Sequence, residues 1–334
     1  MVMATCRERS KELKKDRRFD SMGAAHEGIK TVAIEKVCEF STSSVTCVCI
    51  VTWNMNGKAS SGDMAELIGW HTRFDLLAVG LQEVPKHDVG VQLQAALAET
   101  HRLLAAATMQ SLQLFVFGPK NSQPLAKETR VDKHAVRGCG GLVGRKKGAV
   151  GVHIEFNGIR ILPRIYISCH ICISHARNVE ERNSQCRHIS HSLFAKDGNP
   201  CRRHCHVTVW MGDLNYRLQG ISTHPARSLI RKNLHNLLTS KDQLLREAES
   251  GEVFDGYCEG SLSFKPTYKY DVGSNNYDTS YKVRVPSWTD RISFKIDSSS
   301  GIDAALHSDE SIDRVKTSDH KPVRAHLCLK VKSV

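Results

Sequence analysis

The chain has 334 residues, of which 40% are hydrophobic, and it carries a formal net charge of +12 with a pI of about 9.2. This composition is typical of a globular protein and excludes a fibrous or disordered chain, whereas the positive charge favours nucleic acid, an anionic membrane or a phosphorylated small molecule without choosing among them. No apolar run reaches the roughly 18 residues of a membrane-spanning helix, and residues 1–18 lack the apolar core of a signal peptide. The twelve cysteines are therefore interpreted as reduced thiols of a cytoplasmic protein and not as a disulfide framework.

Residues 1–44 are charged and become Ser-rich, and we expect them to form a basic, mobile N-terminal extension ahead of one folded domain at 45–334. The first part of this domain has clear hydrophobic patterns. They predict, in chain order, a buried strand at 45–54, a polar helix at 59–71, a strand at 75–84, a helix at 88–107, a strand at 111–118 and a loop at 119–146.

The second part begins with a predicted hairpin. Strands at 149–156 and 160–170 flank Asn157-Gly158, a strong turn signal, and Pro163 predicts an edge, a bulge or a local irregularity in the second strand. Further patterns predict a helix at 176–195, a strand at 206–215, a helix at 222–249 and then short strands joined by long polar loops. Because strands and helices interleave, the sequence predicts a layered α/β or α+β architecture.

Polar residues follow two apolar strands at positions where a rigid core can hold a site at its rim. Asn54 and Asn56 follow the first strand, a pattern that also fits an ordinary turn. Glu83 ends the strand at 75–84, where its carboxylate could bind Mg2+ or could simply be solvated at the start of a loop. These two motifs leave both interpretations open.

The segment at 210–217 is more specific. Asp213 and Asn215 alternate along a predicted extended segment, so their side chains should share one face. An acid and an amide on one face could orient a water molecule and bind a phosphate oxygen.

Cations and a histidine appear in the last third of the chain. In 264–271, and again at Lys282 and Arg284, cations accompany tyrosines, which suits phosphate groups and suits a nucleic-acid strand equally well. Pairing His320 with a carboxylate would fix its tautomer and support its cationic form. An isolated Asp-His pair such as Asp319-His320 is, however, often only a surface pair.

In order and spacing, these motifs resemble the catalytic domain of the inositol polyphosphate 5-phosphatases over roughly 45–330, nearly the whole chain. The matching segments are TWNMNG, LQE, GDLNYR, FKPTYKYDVGSNNYDTSYKVRVPSWTDRI and SDHKPV. The short form of the chain resembles a plant member of the family. The resemblance implies a four-layer α/β/β/α sandwich of the endonuclease/exonuclease/phosphatase type, with 45–334 as the catalytic domain.

The resemblance also implies an activity, which is Mg2+-dependent hydrolysis of the 5-phosphate of phosphoinositides such as phosphatidylinositol 4,5-bisphosphate and 3,4,5-trisphosphate, or of soluble inositol polyphosphates. For the metal, it implies Glu83 and Asn54 as ligands, with Asp319 in the shell of the metal and its water. For catalysis, it implies five residues: Asp213 to activate water, Asn215 and His170 to contact the scissile phosphate, His320 to stabilise that phosphate, and Asp290 to orient His320.

For substrate binding, the resemblance implies that the neighbouring 4-phosphate is held by Tyr268, Lys269, Lys282 and Arg284, with Arg291 in a supporting role. We expect a monomer with no nucleic-acid partner. We also expect peripheral contact with an anionic membrane surface through the basic residues of 119–147, which are Lys120, Lys127, Arg130, Lys133, Arg137, Arg145, Lys146 and Lys147.

The segment 160–175 departs from the family pattern, because LPRIY is inserted and His170 and His175 stand too far apart. A one-residue slip would turn the side chains to the opposite face, so a catalytically weak phosphoinositide-binding module is one alternative. A nuclease of the same fold is another, since the chain is basic. A third alternative is a zinc site formed by cysteines and histidine at Cys169, Cys172, Cys201, His204 and Cys205.

Overall fold

The computed structural model describes residues 26–35, 38, 45–69, 73–86, 88–120, 126–136, 147–167, 178–195 and 205–332. The strands within these ranges are β1 Ile29–Val32, β2 Val45–Asn54, β3 Leu76–Gln82, β4 His101–Met109, β5 Leu112–Pro119, β6 Ala126–Val136, β7 Lys147–Phe156, β8 Ile159–Ile167, β9 Val207–Asp213, β10 Tyr257–Gly260, β11 Asp290–Ile296, β12 Ile302–Ser311 and β13 Val323–Val331. The α-helices are α1 Ser61–Ile68, α2 Val89–Leu97, α3 Val179–Ser192, α4 Thr223–Arg231 and α5 Gln243–Glu249, with a 3-10 helix at His235–Lys241.

The strands form two mixed sheets. One has seven strands in the order β1-β10-β11-β9-β8-β7-β6, and the other has six in the order β12-β13-β2-β3-β5-β4. The sheets pack face to face through inward side chains such as Ile50 of β2 and Met211 of β9. Burying an aliphatic side chain of this size stabilises the fold by about 1.5–3 kcal/mol.

Helices cover the outer faces of both sheets. On the six-stranded sheet, Val51 of β2 packs in one cluster with Leu67 of α1 and Leu93 of α2. On the seven-stranded sheet, Trp210 of β9 packs in one cluster with Ile189 of α3. The predicted four-layer α/β/β/α architecture is therefore confirmed.

The predicted hairpin is also present. Asn157 and Gly158 have φ values of 50° and 75°, the left-handed conformations that a two-residue turn of this kind needs. Pro163 lies inside β8, and the β7–β8 pairing passes from Gly151↔Arg164 to Ile154↔Ile161 without a pair at Pro163. Because proline has no N–H to donate, this gap in the ladder is the local irregularity that the sequence predicts.

Two predicted elements need correction. The helix expected over 88–107 ends at Leu97, and 101–109 forms β4, which pairs with β5 from Met109↔Leu112 onward. Alternate small residues of β4, Ala105 and Ala107, are buried, so a period of two overrides the helix propensity of alanine. The loop expected over 119–146 contains β6, whose exposed charged side chains are typical of an edge strand.

The expected boundaries shift as well. Residues 29–32 pair in parallel with β10, so the seven-stranded sheet includes a strand from within the predicted extension. The helix expected over 222–249 is interrupted twice, and Asp242 caps its last part by accepting a hydrogen bond from Leu245 N at 3.1 Å. Among the described residues, no helix has the length and hydropathy that crossing a membrane requires.

Candidate active site

The candidate site lies where the two sheets meet, at the carboxyl ends of two central strands. β2 ends at Asn54 and β9 ends at Asp213, and both residues are buried. Asn54 Nδ2 donates a hydrogen bond to Asp213 Oδ2 at 3.1 Å, which joins one sheet to the other. Burial raises the pKa of the Asp213 carboxyl to about 6, because desolvation disfavours its charged form.

Glu83 follows the last residue of β3 and faces the same amide. Asn54 Nδ2 lies 3.4 Å from Glu83 Oε1. Glu83 has a φ of 50°, a left-handed conformation that residues other than Gly and Asn rarely adopt. A hydrogen bond from Gly57 N to the Glu83 carbonyl at 2.8 Å helps to hold it. Maintained backbone strain of this kind is typical of functional sites.

Asn215 reaches the site through a turn. The predicted extended segment stops at Asp213, and Asn215 has a φ of 59° while its N–H donates to Asp213 Oδ1 at 3.1 Å. The prediction that an extended strand places the side chains of Asp213 and Asn215 on one face is therefore wrong. Their proximity comes from this local turn.

Arg217 is a further cation of this region, and the sequence predicts no role for it. Its guanidinium donates a hydrogen bond to Asn215 Oδ1 and stacks over the ring of Tyr268 at 4.3 Å. The same Tyr268 ring lies 4.4 Å from the ring of His320. The signal that could have found Arg217 is its place in GDLNYR, one of the segments that match the family.

His320 is held by Asp290, the first residue of β11. Its Nδ1 lies 2.9 Å from Asp290 Oδ2, which also accepts hydrogen bonds from the hydroxyls of Thr267 and Thr289. Burial opposes the imidazolium, but the Asp290 and Asp213 carboxylates outweigh it and raise the pKa of His320 to about 10. His320 is therefore cationic at neutral pH, with Nε2 4.0 Å from Asp213 Oδ2.

Asp290→Asn should lower the pKa of His320 from about 10 toward the ordinary value of about 6.5, because the nearest negative charge is removed while burial remains. A pH titration followed by NMR of the imidazole resonances measures this. Asp303→Asn, at an exposed carboxylate paired with Lys332, is the matched control and should leave the titration unchanged. A pKa that stays near 10 without the Asp290 carboxylate would show that another group sets the charge of His320.

The segment before β13 is anchored to β2 by hydrogen bonds to its backbone. Trp53 Nε1 donates to the His320 carbonyl at 3.2 Å. Ser318 Oγ donates to the Asn54 carbonyl at 2.6 Å and accepts from His320 N at 3.1 Å. These contacts fix His320 relative to Asn54, so the relative positions of the two side chains depend on the core and not on a mobile loop.

Part of the set expected to bind the 4-phosphate gathers around Asp278. Lys269 Nζ lies 3.9 Å from Asp278 Oδ1, and the Arg284 backbone N–H donates to Asp278 Oδ2 at 2.9 Å. The Lys269 side chain is 26% exposed, so an anion can reach it. Lys282 is exposed, and its ammonium lies 5.5 Å from the ring centre of Tyr281.

Arg291 does not have the substrate-binding role expected from the sequence. Its fully buried guanidinium donates to Asp242 Oδ1 at 2.9 Å and to Glu259 Oε1 at 2.6 Å. Successive residues of a strand point to opposite faces, so Asp290 turns toward the site and Arg291 turns away from it. Arg291 is therefore a structural residue of the seven-stranded sheet.

Oxygen-bearing side chains at the site fit a divalent cation. The Asn54 amide lies between the Glu83 and Asp213 carboxylates. Rotation of that amide would present Oδ1 and complete an all-oxygen set, which Mg2+ prefers. Asp319 is partly exposed and near enough for its charge to raise the pKa of His320. His320 itself is a poor ligand although it clusters with Asp213 and Asp290, because its imidazole is protonated.

His170 and four members of the alternative zinc group, Cys169, Cys172, Cys201 and His204, lie outside the described residues. Cys205 is described and is partly buried beside the core under α3. The expected role of His170 remains a prediction.

Comparison with known proteins places this geometry in a family. Residues 51–326 match the sequence profile of the endonuclease/exonuclease/phosphatase family 2. The chain is also 54% identical to the type IV inositol polyphosphate 5-phosphatase 11 of Arabidopsis thaliana over 93% of this chain and 91% of that protein. The chain belongs to the inositol polyphosphate 5-phosphatase family.

Two further proteins similar to this chain are informative. The phosphatidylinositol 4,5-bisphosphate 5-phosphatase A of Rattus norvegicus is 30% identical over 84% of this chain, which spans 31% of that protein. The crystal structure of the 5-phosphatase domain of SPsynaptojanin, in complex with inositol (1,4)-bisphosphate and a calcium ion, superimposes with a TM-score of 0.72 at 24% identity and covers 86% of each chain. This second likeness confirms the fold.

Proposed function

We propose that the chain is a magnesium-dependent phosphatase that removes the 5-phosphate of phosphoinositides and of soluble inositol polyphosphates. The observation that carries the proposal is the adjacency of a buried carboxylate and a buried imidazolium at the junction of the sheets. Asp213 Oδ2 and His320 Nε2 are 4.0 Å apart, and the Asn54 amide contacts both Asp213 Oδ2 and Glu83 Oε1. The family relationship supports the same chemistry.

Phosphoryl transfer to water needs an oriented water molecule and positive charge around the phosphate oxygens. Asp213 accepts a hydrogen bond from a water molecule, orients it and takes its proton. His320, kept cationic by Asp290, donates to a phosphate oxygen. Arg217 keeps the Asn215 amide in place through its hydrogen bond to Asn215 Oδ1. The water oxygen forms a bond to phosphorus while the bond from phosphorus to the inositol oxygen breaks, and the inositol oxygen takes up a proton from solvent. The proposed mechanism therefore has no covalent enzyme intermediate.

The metal site would consist of Glu83, Asn54 and Asp319. Mg2+ bound there would act as a Lewis acid toward a phosphoryl oxygen and lower the pKa of a bound water molecule. The all-oxygen donor set around Asn54 supports this cation over zinc, which favours nitrogen and sulfur ligands.

A substrate panel tests the proposal. Purified chain with Mg2+ should release phosphate from inositol polyphosphates in solution and from phosphoinositides in vesicles, and a chelator should abolish the release. Release that persists unchanged with chelator would contradict the metal dependence, and no release from any 5-phosphorylated substrate would contradict the activity. Single- and double-stranded DNA belong in the panel, because strong magnesium-dependent cleavage would favour the nuclease alternative. Vesicle binding without turnover would favour the binding-module alternative.

Lys269→Ala should weaken turnover of substrates that carry a 4-phosphate far more than turnover of substrates that lack it. Losing a charge-assisted contact costs about 1.5–3 kcal/mol, or roughly ten- to hundred-fold in kcat/KM. Lys295→Ala is the matched control, because Lys295 is an exposed lysine that donates to the Asp255 carbonyl, at the opposite end of β11 from Asp290. If Lys269→Ala slows both classes of substrate equally, Lys269 does not bind the 4-phosphate.

We further propose peripheral contact with anionic membranes. Among the described cations of the basic segment, Lys120, Arg130 and Lys133 are exposed. Each such cation near an anionic surface contributes about 1 kcal/mol, and salt screens the attraction. Sedimentation with phosphatidylserine vesicles should therefore show binding that falls as ionic strength rises. Binding that ignores ionic strength would contradict an electrostatic contact.

A further inference from the structure

Four side chains of the types that can bind a metal ion meet on the outer face of the six-stranded sheet, away from the candidate active site. They are Cys38, Cys47, His326 and Cys328, and one ligand atom from each lies within 4.8 Å of all the others. Cys47, His326 and Cys328 are buried, and Cys38 is partly buried. The role proposed for the active site uses none of them.

The register of the sheet explains how these residues come together. Cys47 of β2 lies directly opposite Cys328 of β13 in an antiparallel pair. His326 is two residues before Cys328 and therefore points to the same face. Cys38 comes from the connection between β1 and β2, which leads from the seven-stranded sheet to the six-stranded sheet.

The distances approach those of a tetrahedral zinc site. At the tetrahedral angle, bond lengths of about 2.3 Å for Zn–S and about 2.0 Å for Zn–N place two sulfur atoms roughly 3.8 Å apart and a sulfur and a nitrogen atom roughly 3.5 Å apart. Cys38 Sγ lies 3.5 Å from Cys47 Sγ and 3.4 Å from Cys328 Sγ, and Cys328 Sγ lies 3.3 Å from His326 Nε2. Cys47 and Cys328 are closer, at 2.7 Å, so this one pair would have to open by about 1 Å to hold the ion.

A disulfide is the competing explanation for the close Cys47–Cys328 pair. It would use two of the four groups, whereas a metal ion uses all four. The sulfur atoms are 2.7 Å apart, a distance between the bonded length of about 2.05 Å and a non-bonded contact, so this distance does not decide between the two explanations. The convergence of Cys38 and His326 on the same pair therefore favours the metal.

We propose that Cys38, Cys47, His326 and Cys328 form a closed, structural Zn2+ site that fastens the β1–β2 connection to the six-stranded sheet. Three thiolates and a neutral imidazole fill a tetrahedral shell and leave no position for substrate. Binding releases the three thiol protons to solvent and gives a complex of net charge −1. Lys330, two residues beyond Cys328, shares its face and offers compensating positive charge.

The proposed site is remote from the proposed chemistry. Cys47 and Asn54 lie near opposite ends of β2, seven residues or roughly 23 Å apart at about 3.3 Å per residue. Loss of zinc should therefore loosen the connection without directly removing a group that acts on the substrate.

Metal analysis of the full chain, purified under reducing conditions and in excess Mg2+, tests the proposal. We expect about one zinc ion per chain in the wild type. Cys328→Ser and Cys38→Ser should each lose most of it, and Cys258→Ser, at a partly buried cysteine of β10, should retain it. Cys38→Ser keeps the test decisive if Cys328→Ser fails to fold, because Cys38 lies in a connection and not in a strand. Phosphate release by Cys38→Ser should match that of the wild type.

Cobalt substitution identifies the ligands. Co2+ added to the zinc-free chain should give the sulfur-to-cobalt charge-transfer and intense visible bands of a tetrahedral thiolate site, and these bands should weaken in Cys38→Ser. A divalent ion at the carboxylate site cannot produce them, because it has no sulfur ligand. The proposal is overturned if the wild type binds no zinc, or if Cys38→Ser and Cys328→Ser retain as much as the wild type. It is also overturned if mass spectrometry of the non-reduced protein, with its free thiols blocked, finds Cys47 bonded to Cys328.

Discussion

Asp213→Asn should fold and bind substrate normally but lose turnover by roughly 100- to 10,000-fold, the range that a positioned proton acceptor contributes. The substitution keeps the size of the side chain and removes its capacity to accept a proton. Asn54 Nδ2 and the Asn215 N–H each donate a hydrogen bond to an Asp213 oxygen at 3.1 Å. We therefore expect the substitution to change these local hydrogen bonds and not the fold. Steady-state kcat, with substrate binding measured separately by calorimetry, gives the effect.

Asp303→Asn, at an exposed carboxylate on β12, is the matched control and should turn over like the wild type. Thermal unfolding of both variants shows whether a loss of activity is a loss of fold. If Asp213→Asn retains near-normal kcat, another group activates the water and the proposed mechanism is wrong at its centre.

Arg291→Met should destabilise the fold by about 3–5 kcal/mol, the usual cost of removing one partner from a buried ion pair. The guanidinium and both of its partners, Asp242 and Glu259, are buried, so the substitution leaves two carboxylates in the interior without their counter-ion. Urea unfolding of the variant and the wild type measures the difference in unfolding free energy.

Arg187→Met is the matched control, because Arg187 also binds two carboxylates, at 2.9 Å to Glu180 and 2.5 Å to Glu252, but at the surface. A surface pair of this kind contributes about 0–1 kcal/mol. If the two variants lose equal stability, burial does not decide the cost. If Arg291→Met keeps its stability and loses only substrate affinity, the original substrate-binding assignment is restored.

Uninterrupted apolar runs made the framework of the site predictable. The strands at 45–54 and 75–84 are central in their sheet. An apolar run of this kind is typical of a strand that is buried on both faces. Polar residues at their ends, Asn54 and Glu83, follow directly from that placement. Their meeting with Asp213 requires the packing of the second sheet, which a local pattern does not contain.

The features that could not be predicted from the sequence depend on contacts between residues that are far apart along the chain. The sequence places Arg291 beside Asp290 in one motif, but the partners that bury it are 32 and 49 residues away. The Cys47–Cys328 pair is separated by 281 residues, and its spacing matches no local metal-binding pattern. The alanine-rich β4 fits a helix by propensity and becomes a strand only because β5 offers it a partner.

The position of the phosphate that is lost tests the central claim most directly. Incubating the chain with inositol 1,4,5-trisphosphate and Mg2+, and following the products by phosphorus NMR, identifies which ester is cleaved. The proposed activity predicts inositol 1,4-bisphosphate and inorganic phosphate with the wild type, and unchanged substrate with Asp213→Asn or with chelator. Loss of the 1- or 4-phosphate while the 5-phosphate remains, or product formation by Asp213→Asn at the wild-type rate, would contradict it.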